Sequence, residues 1–100
     1  MVVLVLSHAS SNGCYEIVRL LLGVEGIDVN MKTSSGYTAL TLASMNGHRE
    51  IVQLLLGVEG IDVNVKDHGG DTALAIASSK GHKEIVQLLQ RFSREHSVKS

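Results

Sequence analysis

Proline is absent from this chain, tryptophan is absent, and cysteine occurs once. Aromatic residues amount to Tyr15, Tyr37 and Phe92. A core with so few rings has to be aliphatic, and the 44% apolar content supplies it as Leu, Val, Ile and Ala. The lone Cys14 cannot close an internal disulfide, which suits a reducing compartment. Charge of one sign is also missing: nine Lys and Arg stand against ten Asp and Glu. That balance argues against nucleic acid, which calls for a strong positive field, and against a membrane surface for the same reason. Met1 to Leu6 is apolar but has no basic segment before it, and His8 interrupts it short of the ~7 to 15 residues of a signal-peptide core. No run approaches the ~20 apolar residues that span a bilayer. The expectation is a cytoplasmic or nuclear protein.

What the chain has in abundance is itself. Ile17–Asn30 and Ile51–Asn64, 34 positions apart, agree at thirteen of fourteen residues, differing only at Arg19 against Gln53. The same register returns a third time, with Gly36, Thr38, Ala39, Leu40, Ala43, Gly47 and His48 repeated from Gly70 to His82. A period of this length marks an array of stacked units, each burying its neighbour's apolar face.

Within a unit, Thr38 to Met45 is expected to form a short helix with Thr38 near its start and Asn46-Gly47 as its stop. A second helix follows from about Arg49 to Leu56, with Glu50 in its first turn, where a carboxylate meets the positive end of the helix dipole. Ile51, Val52, Leu54, Leu55 and Leu56 leave it little polar circumference, so it is covered on more than one side. Ala39, Ala43 and Ser44, with Ala73, Ala77 and Ser78, let the first helices of successive units crowd together and bend the stack. Between units, Gly, Asp, Asn and Ser mark turns, and the alternation around Val63 to Lys66 suggests a projecting β-turn finger.

Gly36-x-Thr38-Ala39-Leu40, Ala43-Ser44, Gly47-His48, Glu50-Ile51-Val52 and Gly60-Ile61-Asp62-Val63-Asn64 resemble the ankyrin repeat in order and spacing. The resemblance implies an all-α solenoid of stacked helix-turn-helix units with β-turn fingers, forming one domain over residues 1–100. Its expected divisions are a partial first repeat (1–32), a second (33–66), a third (67–90), and a C-terminal cap with a polar tail (91–100). The family's Thr-Pro-Leu-His reads Thr38-Ala39-Leu40-Thr41 and Thr72-Ala73-Leu74-Ala75 here. A histidine that ties neighbouring repeats in the family is thereby missing, and a less stable array is expected. In the first unit Leu4 stands where Thr38 and Thr72 stand later, and Met1 to Leu6 offers an apolar outer side where a terminal repeat should be polar. That end is expected to be cut from a longer array or to need a partner, self-association through Met1 to Leu6 included.

Chemistry finds little purchase. His48 and His82 are repeat-equivalent, but helices packed ~8 to 10 Å apart do not bring two rings within ~2.1 Å of one zinc, and the resemblance makes these histidines structural. His8, Cys14 and Tyr15 invite a thiol-nucleophile reading without a third orienting group. Gly57-Val58-Glu59-Gly60 lacks the Lys-Ser/Thr of a phosphate loop and puts a carboxylate where an anion would sit. No enzyme, metal or cofactor is expected.

Function should fall where equivalent positions of the units differ. Units two and three differ at Thr33/Asp67, Ser34/His68, Ser35/Gly69, Tyr37/Asp71, Met45/Ser79 and Asn46/Lys80. By the resemblance these line a concave surface that grips other proteins. Ser34, Ser35, Tyr37, Met45, Asn46, His68, Asp71, Ser79 and Lys80 are the candidate contacts, with Tyr37 and Met45 as anchors. The leading expectation is a non-catalytic protein-binding module with a protein partner. The competing one is a structural spacer that binds nothing itself, favoured by the identity of Leu20–Asn30 with Leu54–Asn64.

Overall fold

A computed structural model describes the backbone of residues 2–97 and the side chains of residues 4–95. Met1 and the side chains of Val2 and Val3, to which the self-association expectation extends, lie outside the described residues, as do residues 98–100 of the tail. Among the described residues six helices follow in order: α1 (Val2–Asn12), α2 (Tyr15–Leu22), α3 (Ala39–Met45), α4 (Arg49–Leu56), α5 (Ala73–Lys80) and α6 (Lys83–Ser97). They pack as the pairs α1/α2, α3/α4 and α5/α6. The first members stack in one row and the second members in another.

The first row packs more closely than the second, and its contact positions are small: Ala9, Ala39, Ala43, Ala73 and Ala77 are all buried. Leu6, Leu40, Val52, Leu55, Ile85 and Leu89 fill the space between the rows. In α4, Ile51, Val52 and Leu55 are buried, while Leu54 and Leu56 are half-buried against the same cluster. Burial on this scale stabilises by roughly 1.5–3 kcal/mol per large aliphatic side chain.

Thr38 caps α3. Its hydroxyl accepts from the Thr41 N–H at 3.2 Å, and its own N–H donates to Thr41 Oγ1 at 2.7 Å. Thr41, in the place of the family's histidine, thus serves its own helix instead of a neighbour's. In α5 only half of that box remains, because Ala75 has no hydroxyl to return.

Other side chains tie the units together, two histidines among them. His48 Nε2 donates to the Ser11 carbonyl at 2.9 Å and His82 Nε2 to the Met45 carbonyl at 3.0 Å. A carbonyl only accepts, so Nε2 carries the hydrogen in both. Each ring lies over a glycine of the preceding unit, Gly13 or Gly47, at φ +77° and +76°. A Cβ there would lie 2.8 or 2.9 Å from the ring, so the glycine serves both the left-handed turn and the close approach. In the forward direction, the Asn30 carboxamide donates to the Gly60 carbonyl at 2.8 Å and accepts from the Asp62 N–H at 2.8 Å.

One sequence expectation is corrected. The finger is not built on the alternation around Val63 to Lys66; no strand occurs among the described residues. It is a hydrogen-bonded turn one step later, closed by Asp67 N–H to Asp71 O at 2.9 Å, and by Thr33 N–H to Tyr37 O at 2.8 Å in the preceding unit. In the segment after residue 90, expected as a C-terminal cap with a polar tail, the last helix continues. Arg91-Phe92-Ser93-Arg94 replaces the glycine-bounded turn of earlier units, and with no glycine to stop it α6 runs on to Ser97.

Candidate functional site

The variable positions lie along the turns that precede α3 and α5 and at the ends of those helices. In the first finger, the Thr33 hydroxyl accepts from the Tyr37 N–H at 3.3 Å and Gly36 N–H donates to Thr33 O at 2.9 Å. This leaves Ser34 and Ser35 exposed at the tip and Tyr37 half-buried at the base. In the second finger, Asp67 Oδ1 accepts from the N–H groups of Gly69 and Asp71, both at 2.9 Å. The Asp67 carboxylate is therefore committed to shaping its turn. His68, exposed overall, lays its ring over Gly36 of the first finger, with which a Cβ at Gly36 (φ +89°) would collide at 2.5 Å.

Five of the nine candidates come together. Tyr37, Met45, Asp71, Ser79 and Lys80 line one open groove of about 330 Å³ between the second and third units, floored by Ala75 and Ile76 and bordered by Asp67. No ion pair joins Asp71 to Lys80 among the described residues, so both charges face the groove uncommitted. Tyr37 and Ser35 also line a smaller hollow with Ser7, His8, Ser11, Thr33 and Leu42 on the side of the first unit. Tyr37 is the residue the two depressions share.

Ser34 and His68 stand beside the grooves without lining either. Asn46 is engaged within the scaffold, where its amide nitrogen donates to Ser11 Oγ at 3.0 Å and to the Leu42 carbonyl at 3.1 Å, linking the ends of α1 and α3. Ala75 and Ile76 are not singled out by the sequence. Ile76 stands opposite Leu42, one apolar residue for another, so a search for changed chemistry passes over it.

Elsewhere, Cys14 is half-buried at the start of α2 and its side chain makes no capping bond. No group of three or more His, Cys, Asp or Glu side chains among the described residues could hold a metal ion. No helix among them is long and apolar enough to cross a membrane. A family model described as "Ankyrin repeats (3 copies)" matches residues 6–99, nearly the whole chain. Comparison with curated proteins gives no match. The matched repeats are, in general, protein–protein interaction modules and typically non-catalytic.

Proposed function

Because the chain belongs to the ankyrin-repeat family, we propose that it is a non-catalytic module that grips a protein partner along the strip from the first finger to the end of α5. The observation that carries this reading is the position of Tyr37, half-buried and common to both depressions. A ring held at its base but open on two sides can insert into a partner with little loss of side-chain freedom, as interface anchors do. Met45 adds a thioether that adapts its shape. Asp71 and Lys80, uncommitted at the same groove, call for a partner segment carrying an opposite charge for each beside an apolar residue. The groove is open and flanked by charges, which suits a peptide segment or protein surface better than an enclosed small molecule.

A photoactivatable side chain placed at position 37 or 80 should give the same adduct in cell extract, and placement at the exposed Gln53 or Gln87 should give none. Tyr37→Ala with Lys80→Glu should weaken capture while leaving thermal unfolding nearly unchanged. Equal labelling from all four positions, or none from any, would refute the strip. The second reading, a structural spacer, rests on the letter-for-letter identity of Leu20–Asn30 with Leu54–Asn64, which lengthens an array without adding recognition. Absence of adducts from every position favours it.

A further inference from the structure

The two depressions beside Tyr37 are one place met twice in the repeat. Ser11, Thr33, Tyr37 and Leu42 line the first; Met45, Asp67, Asp71 and Ile76, each 34 positions later, line the second. The chemistry changes between them. The second groove carries charge of both signs, whereas the first, about 220 Å³, is lined by hydroxyls and the His8 imidazole, with no carboxylate, ammonium or guanidinium among the described residues. On its α1 wall sits Ser7, 3% exposed, whose hydroxyl has no hydrogen-bond partner among the described residues. The register explains why. Thr41, at the equivalent place, uses its hydroxyl in the cap of Thr38, but Leu4 stands where Thr38 would be, so Ser7 has no such duty. Ser11 and Thr33 are engaged in one direction only. Ser11 Oγ accepts from the Asn46 amide at 3.0 Å and Thr33 Oγ1 from the Tyr37 N–H at 3.3 Å, so each hydroxyl keeps its own hydrogen to give.

We infer that this hollow is a carboxylate-binding site, and that its occupant is the Asp or Glu side chain of a partner segment lying along the strip. The inference rests on the protein-binding reading above and supplies the chemistry of one position in it. A carboxylate only accepts hydrogen bonds, and Ser7, Ser11, Thr33 and His8 all have a hydrogen to donate. A buried hydroxyl left without a partner is unfavourable, so Ser7 gains most when an acceptor arrives. A carboxamide fits less well, because it brings N–H groups to the Ser11 and Thr33 oxygens, which are already occupied. A phosphate calls for arginine or lysine beside it, and neither lines the hollow. Both walls belong to the chain, α1 on one side, the first finger and α3 on the other. Helices packed ~8 to 10 Å apart set the second groove about three residues further along an extended segment that rises ~3.3 Å per residue. The partner segment therefore carries an acid about three residues from the side chains that meet Asp71 and Lys80.

The test selects peptides from a random library displayed on phage, with the full chain as bait, and sorts them by loss of binding to Tyr37→Ala. Peptides sensitive to that change are expected to share an Asp or Glu at one position. Replacing it by Asn or Gln should weaken binding to the natural chain at least about tenfold, the loss expected for hydrogen bonds to a charged group. In Ser7→Ala the same replacement should have an effect about threefold to tenfold smaller, since one donor is already gone. The Ser7→Ala chain should keep its far-UV circular dichroism, because the hydroxyl bonds nothing within the described fold; Ser35→Ala, at an exposed lining position, repeats the comparison should it unfold. Tyr37-sensitive peptides with no common acid, or an acid whose replacement has the same effect in Ser7→Ala as in the natural chain, would overturn the inference and leave the strip standing. A selection with no Tyr37-sensitive peptide would overturn strip and inference together.

Discussion

Each histidine tie is a ring over a left-handed glycine, and the two residues should be energetically coupled across the unit boundary. Gly13 has φ +77°, and an added Cβ would meet His48 Cε1 at 2.8 Å and Nδ1 at 2.9 Å. Gly13→Ala therefore carries two penalties: about 1–2 kcal/mol for a Cβ in the left-handed region, and the loss of the His48–Ser11 hydrogen bond as the ring is pushed away, about 0.5–1.5 kcal/mol. The sum is roughly 1.5–3.5 kcal/mol in the natural chain. In a His48→Ala background the ring is gone, and Gly13→Ala should cost only the first term, about 1–2 kcal/mol. The four chains of this cycle, unfolded in urea and followed by circular dichroism, should show a coupling of about 1 kcal/mol. On heating, a difference of that size corresponds to about 4–8 °C in Tm for a domain of this length. Additivity within about 0.3–0.5 kcal/mol would refute the reasoning, because it would mean that the ring does not rest on the glycine.

Three further outcomes are expected. Asn30→Ala should destabilise by about 1–2 kcal/mol through loss of its two bonds to the next turn, whereas Asn64→Ala, whose carboxamide makes no such forward bond among the described residues, should cost less than about 0.5 kcal/mol in the same urea titration. Ser44→Ala should be neutral or stabilising by up to about 1 kcal/mol, because the buried Ser44 hydroxyl has no hydrogen-bond partner among the described residues; a loss of stability would show that the hydroxyl is used. The Glu50 carboxyl is held below the ordinary value of 4.5, first by its own backbone N–H in the opening turn of α4 and then by Arg49. A lowered carboxyl pKa stabilises the fold above the unfolded value and loses that contribution as pH falls through the folded one. Glu50→Gln should therefore flatten the acid limb of a stability-against-pH profile below about pH 4.5 and leave its slope near neutrality unchanged.

The architecture was legible because a repeat states its period openly: Arg49–Leu56 is the α4 helix as read, and the start of α3 differs only in that Thr38 stands outside as its cap. The finger was displaced because Ile61, Val63 and Val65 alternate like a strand, while the turn is set by the side-chain bonds of Asp67 and Thr33, which no hydrophobic pattern records. Comparing units brought out Tyr37, Met45, Asp71, Ser79 and Lys80, which share a groove. It could not separate Asn46 from them, because the bond to Ser11 spans 35 positions. The exposure of Leu20, 64% where Leu54 is half-buried, was hidden for a different reason. Leu20 and Leu54 sit in identical sequence, and only the presence of a preceding neighbour distinguishes them.

The ties between units are also unequally distributed. The first boundary is laced in both directions, by His48 reaching back and Asn30 reaching forward, with Asn46 holding Ser11 as well. The second has the backward His82 bond and a solvent-exposed Arg49–Glu84 ion pair at 3.4 Å, of the kind worth little in water, while Asn64, at the place of Asn30, makes no such forward bond among the described residues. In a solenoid each unit is held only by its neighbours, so such differences become differences in local opening. The first two pairs should therefore behave as one cooperative block, and α5 and α6 as a segment that detaches before it. The partner groove spans the softer of the two seams, where an occupant touching both Tyr37 and Lys80 would act as a splint.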